Sequence, residues 1–222
     1  MMDKQPISVD LVDDDPQTFT LLQQVLDQCD ANWVPSVHHA YQDALKALVD
    51  YQPDFIIVEI GMRQGNGMEF VRKLRLLDTP MHILVYTHQD EQLYAERALR
   101  IGAHGYLMKP ASTDELQAVI ERIRQGELYV SPAIEAKLLR SIANQDHADT
   151  RDPERLLSNR ELEIFVKIGE GLSSQQIANE LGLSIKTIET HRAHIKRKLA
   201  TRNAKELQAH AREWIQQAQT GA

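Results

Sequence analysis

Three shortages in this sequence each exclude a class of protein. Cysteine occurs once, as Cys29, so no disulfide can form within the chain, and a reducing compartment is expected. No apolar run approaches the roughly 18 residues that a membrane helix needs. The first residues, Met1-Met2-Asp3-Lys4-Gln5-Pro6, hold no apolar core of the signal-peptide kind. The expectation is a cytoplasmic protein without a membrane partner. Signatures of common chemistry are also missing. Of the nine histidines, His38 and His39 are adjacent, and His191 and His194 stand i, i+3 without carboxylate or cysteine support. Zinc needs about four convergent ligands. Gly61, Gly65 and Gly67 are not followed by Gly-Lys-Ser/Thr and read as turn glycines rather than a phosphate loop. No Ser/His/Asp or Cys/His set stands at catalytic spacing, and no enzyme is expected.

What is present is an ordinary globular composition with an uneven charge. The 222 residues are 42% hydrophobic and 26% charged, which suits one or two domains with their own cores. The net charge of −7 conceals two halves. Residues 1–150 hold 13 Lys and Arg against 23 Asp and Glu, a net of −10, whereas residues 151–222 hold 12 against 9, a net of +3. Two domains with different partners follow from that asymmetry.

The acidic half is organised around Asp54-Phe55-Ile56-Ile57-Val58-Glu59-Ile60. An apolar run without alternation suits a strand buried on both faces of a parallel sheet. Its acid would lie at the carboxyl edge, where open α/β folds place their sites. Further strands are expected at Ile7–Val12, around Trp33–Val37 (interrupted by Pro35), at His82–Thr87 and at Gly105–Pro110. Helices are expected from Pro16, over Ala40–Tyr51, Met68–Leu77 and Glu91–Ile101, and from Ser112 behind a capping box. Five alternations in about 120 residues predict a doubly wound, five-stranded parallel α/β domain.

In such a sheet the ends of strands 1, 3, 4 and 5 gather at one edge. They bring Asp13, Asp14, Glu59, Thr87 and Lys109 together. Three carboxylates can hold a hard divalent cation such as Mg²⁺. A Thr hydroxyl and a Lys ammonium are the donors that a phosphoryl group's remaining oxygens need. This set, with the turn Glu59-Ile60-Gly61-Met62, Gly67 downstream and Lys109-Pro110, resembles the receiver domain of bacterial response regulators over about residues 5–125. The resemblance implies a CheY-like (βα)5 fold, a phosphoacceptor position at Glu59, and a switch of Thr87, Tyr106 and Lys109. It also implies a Mg²⁺ set of Asp13, Asp14, Glu59 and Gly61, and a sensor histidine kinase or another regulatory protein as partner.

Two residues depart from the family pattern. The phosphoacceptor is ordinarily Asp and is Glu59 here, and Arg63 stands where Pro usually follows the Met. Glu is longer by one methylene, so its carboxylate is displaced by roughly 1.5 Å. In-line transfer loses on the order of 10²-fold for a misplacement of about 1 Å. Glu59 is therefore expected to act without normal aspartyl phosphorylation, reaching Lys109 as a fixed charge of −1 against the roughly −1.5 to −2 of a phosphate. The plainer reading is an acid tolerated in an inert scaffold.

After the helix ending near Gln125, Pro132 opens a connecting helix, and Ala143–Pro153 has no apolar period, as expected of a linker. The domain boundaries are thus a receiver at 5–126, a connection at 127–152 and a third segment at 153–218. That segment opens on a capping box at Ser158 and Glu161, breaks at Gly169 and Gly171, restarts at Ser173, turns at Gly182-Leu183 and restarts at Ser184. Two short helices around a Gly turn, the second longer and basic, form a helix-turn-helix pattern. Leu-Ser-x-Arg-Glu, Ile-Ala-x-x-Leu and Ser-x-Lys-Thr-Ile-Glu-Thr-His-Arg resemble the LuxR/NarL/FixJ DNA-binding domain, an all-α four-helix unit. By that resemblance Ser184–Leu199 is the recognition helix. Lys186, Glu189, Thr190 and Ala193 would face base edges, and Thr187, Arg192, Lys196 and Arg197 would face phosphates. The last helix, with Leu207 and Trp214, would pair two subunits, although Trp214 can also close its own core. The whole reads as a two-component response regulator acting on double-stranded promoter DNA as a homodimer. Its competitors are a receiver-based interaction or phosphotransfer module with little DNA affinity, and a Mg²⁺-dependent phosphatase.

Overall fold

The computed structural model describes residues 6–28, 33–62, 65–77, 80–143 and 153–220. Cys29, Arg63 and the linker residues 144–152 lie outside the described residues. The chain divides into two compact units, 1–131 and 132–222.

The first unit alternates β1 (Ile7–Val12), α1 (Pro16–Asp27), β2 (Trp33–His38), α2 (Tyr41–Asp50), β3 (Phe55–Val58), α3 (Gly67–Arg75), β4 (His82–Thr87), α4 (Glu91–Arg100), β5 (Gly105–Met108) and α5 (Thr113–Arg124). The five strands are parallel in the order β2-β1-β3-β4-β5. All four residues of β3 are buried, because the central strand has helices over both faces. Val9, Leu11, Phe55, Ile57, Leu84, Tyr86 and Leu107 form one face of the sheet and pack with Leu22 and Val25 of α1 and Leu116, Val119, Ile120 and Ile123 of α5. The alternate residues Ile56, Val58, Ile83, Val85 and Tyr106 are buried too, as the two-residue period requires of the other face.

Local chemistry sets the element ends. Asp15 caps α1 by accepting from the Gln17 N–H, ahead of Pro16. Ser112 caps α5 through the Glu115 N–H. Pro35 does not stop β2, because this is an edge strand and Pro35 lies within it opposite Val9. Beyond α5, Gly126 turns at φ 86° and sends Tyr129 along the free edge of β5. There the Tyr106 N–H donates to the Tyr129 carbonyl at 2.9 Å and the Tyr129 N–H to the His104 carbonyl at 3.0 Å.

The second unit holds α6 (Pro132–Ala143), a single turn α7 (Pro153–Leu156), α8 (Asn159–Gly169), α9 (Ser174–Leu181), α10 (Ile185–Lys198) and α11 (Ala204–Thr220). Capping boxes at Ser158/Glu161 and Ser173/Gln176 start α8 and α9. Gly182, left-handed at φ 63°, ends α9. Gly169 does more than end a helix: a Cβ there would meet the Ala211 backbone at 2.9 Å, so its small size lets α11 close on α8. Among the described residues no helix is long and apolar enough to cross a membrane.

Candidate functional site

The strand ends meet as the alternation predicts, and their side chains form one hydrogen-bonded cluster. Asp13, Glu59, Thr87 and Lys109 are all buried. The main chain of Glu59 is fixed first: its N–H donates to the Val12 carbonyl at 2.9 Å, and its carbonyl accepts from the Tyr41 hydroxyl at 2.7 Å. Its carboxylate then collects four donors. Oε1 accepts from the Gly61 N–H at 2.6 Å and from the Thr87 hydroxyl. Oε2 accepts from the His88 N–H at 3.3 Å and faces Lys109 Nζ at 3.2 Å. Gly61 leaves room here, since a Cβ would lie 2.7 Å from Gln89 Nε2 and 3.0 Å from Glu59 Oε1 and would push the Gln89 side chain aside.

Lys109 joins the two buried acids. Its Nζ lies 2.6 Å from Asp13 Oδ2 as well, and it stands over the Tyr86 ring at 5.3 Å. Burial pulls the Lys109 ammonium down, but Glu59 and Asp13 more than offset it and leave the lysine above its ordinary range, hence protonated. The other Asp13 oxygen accepts from the Asp15 N–H at 2.8 Å. Tyr106 is buried with its hydroxyl on the Gln89 carbonyl at 2.9 Å, and burial lifts its phenol well above the usual range. The Gln89 N–H in turn donates to Thr87 Oγ1 at 3.2 Å, which links Tyr106 to Thr87 through one residue.

Of the cation set expected at Asp13, Asp14, Glu59 and Gly61, the Asp13 and Glu59 side chains are buried side by side at the strand ends. Among the described residues no group of three His, Cys, Asp or Glu side chains is arranged to hold a metal ion. The Lys109 ammonium lies on both Asp13 and Glu59, while Asp14 is exposed. Composition shows three acids and cannot show which of them a lysine 96 positions beyond Asp13 will neutralise.

In the second unit α10 presents one continuous exposed stripe. Lys186, Glu189, Thr190, Ala193 and Arg197 are exposed, Thr187, Arg192 and Lys196 are half-buried on its flanks, and Ile188 and Ile195 face the core. The spacing is that of one helical face. Ser184 caps α10 through the Thr187 N–H at 3.1 Å, and the Thr190 hydroxyl donates to the Lys186 carbonyl at 2.9 Å. Lys198 binds Glu161 Oε2 at 2.5 Å, tying α10 to α8. Of the two residues expected to pair subunits, Leu207 is buried and Trp214 half-buried. Leu207 is fully buried inside this unit and has no surface to offer a second chain, because α11 packs on α8. Trp214 lies against Phe165, ring centroids 5.8 Å apart.

Sequence reasoning missed the His88 N–H, the Tyr41 hydroxyl and the Gln89 relay. A backbone donor carries no residue signature, and Tyr41 opens a helix 18 positions before its partner. Ser174, whose hydroxyl donates to Glu189, was missed as well.

Comparison with known proteins agrees with both units. The response regulator receiver domain model matches residues 9–121, and the model of bacterial regulatory proteins, luxR family, matches residues 155–211. The oxygen regulatory protein NreC of Staphylococcus aureus is 35% identical over 173 residues, covering 76% of this chain and 80% of that protein. RcsB from Salmonella enterica serovar Typhimurium, solved on a promoter with the phosphomimetic BeF3⁻, aligns at TM-score 0.60 and 22% identity, over 92% of this chain and 98% of that one. A LuxR-family two-component response regulator from Aurantimonas sp. SI85-9A1 aligns at 0.54 and 24% identity, over 63% of this chain and 99% of that one. Receiver domains generally bind Mg²⁺ in their acidic pocket. The chain belongs to the response regulators of the NarL type, a receiver domain followed by a LuxR-family helix-turn-helix domain.

Proposed function

We propose that this protein is a DNA-binding transcription regulator whose receiver is set by the fixed charge of Glu59 rather than by aspartyl phosphate. One observation carries the receiver half. The Glu59 carboxylate already holds the Gly61 N–H, the Thr87 hydroxyl, the His88 N–H and the Lys109 ammonium. Donors of this kind would otherwise serve the oxygens of a transferred phosphoryl group. The extra methylene puts a −1 carboxylate among them, a partial equivalent of a phosphate's −1.5 to −2. With Lys109 on both buried acids, no step of this reading runs through a bound cation.

The DNA half rests on the LuxR-family match and on the exposed stripe of α10. Lys186, Glu189, Thr190 and Ala193 face base edges, while Thr187, Arg192, Lys196 and Arg197 hold phosphates. RcsB has been solved as two dimers on two parallel DNAs. By analogy this chain works as a homodimer on two half-sites, with contacts other than Leu207. A histidine kinase or another regulatory protein addresses the receiver, in the cytoplasm.

The test compares wild type, Glu59→Gln and Glu59→Asp for oligomeric state and for affinity to a selected promoter duplex, each with and without acetyl phosphate. The expected result is wild type indifferent to acetyl phosphate, Glu59→Gln weakened, and Glu59→Asp restored by acetyl phosphate. Glu59→Gln matching wild type in both measurements would remove the fixed-charge reading. Phosphorylation of wild type at Glu59 with a response in DNA affinity would replace it with ordinary phosphotransfer.

A further inference from the structure

Glu189 is an unusual side chain to find on a surface meant for DNA, because a carboxylate repels phosphates. It serves recognition where it reaches an exocyclic amino group in the major groove, and cytosine offers that donor without the neighbouring N7 acceptor that adenine carries. A free glutamate on an exposed helix samples many rotamers, and fixing it costs entropy at the moment of binding. In this structure one of its oxygens already has a partner. The Ser174 hydroxyl, on the first turn of α9, donates to Glu189 Oε1 on α10. Among the described residues no lysine or arginine forms an ion pair with Glu189, although Lys186 and Arg192 stand three residues to either side on the same helix.

Ser174 is free for this task because it does nothing else that the helix requires. The cap of α9 is Ser173, whose hydroxyl accepts from the Gln176 N–H at 3.3 Å while the Gln176 side chain accepts from the Ser173 N–H at 2.9 Å. Ser174 is exposed. One hydroxyl therefore spans the two helices of the helix-turn-helix and leaves Glu189 Oε2 without a protein partner among the described residues.

We propose that Ser174 is a positioning residue for sequence readout: it holds Glu189 so that its second oxygen accepts from the exocyclic amino group of one cytosine in each half-site. This rests on the DNA-binding reading above and goes beyond it by naming the base class and the residue that makes the choice. The carboxylate would equally reject a keto-bearing base at that position, since two acceptors would then face each other.

The experiment uses the full-length chain and a duplex pool randomised over about twenty base pairs, selected in parallel with wild type, Ser174→Ala, Ser174→Thr and Glu189→Ala. Wild type is expected to demand cytosine at one position per half-site. Ser174→Ala is expected to flatten that preference about fivefold, with the other positions and the salt dependence of binding unchanged. Glu189→Ala should flatten it at the same position, a Ser174→Ala/Glu189→Ala double variant carried through the same selection should add nothing further, and Ser174→Thr should restore the preference. A Ser174→Ala profile identical to wild type overturns the inference, and so does a uniform loss at every position. Absence of salt-dependent DNA binding by wild type would remove the DNA-binding reading and this inference with it, whereas a wild-type site without the cytosine preference removes this inference alone.

Discussion

Lys109 has the most demanding position of any residue in the receiver. Its single positive charge faces two buried carboxylates at once, so its removal leaves both without a countercharge. Losing one partner of a buried ion pair costs about 3–5 kcal/mol. Lys109→Met should therefore lower stability to urea by about 3 kcal/mol, and Glu59→Gln in the same chain should recover part of that loss by deleting one stranded charge. A Lys109→Met protein as stable as wild type would show that solvent reaches the cluster. His104 offers a residue-scale pH test at the opposite end of the sheet. Burial, with His82 and Arg75 nearby, depresses its imidazole to about 4, and its Nδ1 accepts the Ile83 N–H at 3.0 Å. The unfolded chain holds that proton up to about pH 6.5. The contribution is thus complete above pH 6.5 and fades as pH falls toward 4, by about 1–2 kcal/mol after allowance for partial exposure. His104→Gln should flatten the denaturation midpoint over that window.

At the scale of elements, two turn glycines separate steric from conformational need. At Gly67, the first residue of α3, a Cβ would lie 2.3 Å from the Ile60 Cα and 2.7 Å from the Tyr41 hydroxyl. The same hydroxyl holds the Glu59 carbonyl. Gly67→Ala must therefore move the β3–α3 loop, costing about 2–3 kcal/mol and disturbing the Glu59 cluster. Gly126 at φ 86° has nothing within 4 Å of an added Cβ. Gly126→Ala should cost only its backbone strain, about 1–2 kcal/mol. Chemical denaturation of the two variants checks the order, and equal losses would contradict it. Elements were the most legible part of the chain, since hydrophobic period and caps are local: β3, α5 and the capping boxes at Ser158 and Ser173 stand where the residues predict. The interrupted β2 shows the limit. Pro35 is tolerated because of the edge position that the strand takes, and sheet order is a tertiary fact.

For the whole molecule, the charge division sets the expected behaviour on DNA. The receiver segment is acidic, so attraction to phosphates must come from the basic flank of α10. Each phosphate contact contributes about 0.9 to the slope of log affinity against log salt. Arg192→Ala with Lys196→Ala should reduce that slope by about two per subunit, alike on specific and unrelated duplexes. An unchanged slope would take these side chains out of the interface. The division of labour between sequence and fold follows the range of the interactions. Alternation and caps were enough to predict a five-stranded parallel domain joined to a helix-turn-helix, and the set of Asp13, Glu59, Thr87 and Lys109 carried the resemblance to a receiver, because each is borne by neighbouring residues or by strand ends that a parallel sheet must gather. Contacts between residues far apart in the chain needed the fold. Lys109 lies 96 positions from the Asp13 it neutralises, the His88 N–H has no side-chain signature, and Leu207 is an interface residue or a core residue according to which helix covers it. Residue types name the groups available to a site, and only tertiary packing decides which partner each group meets.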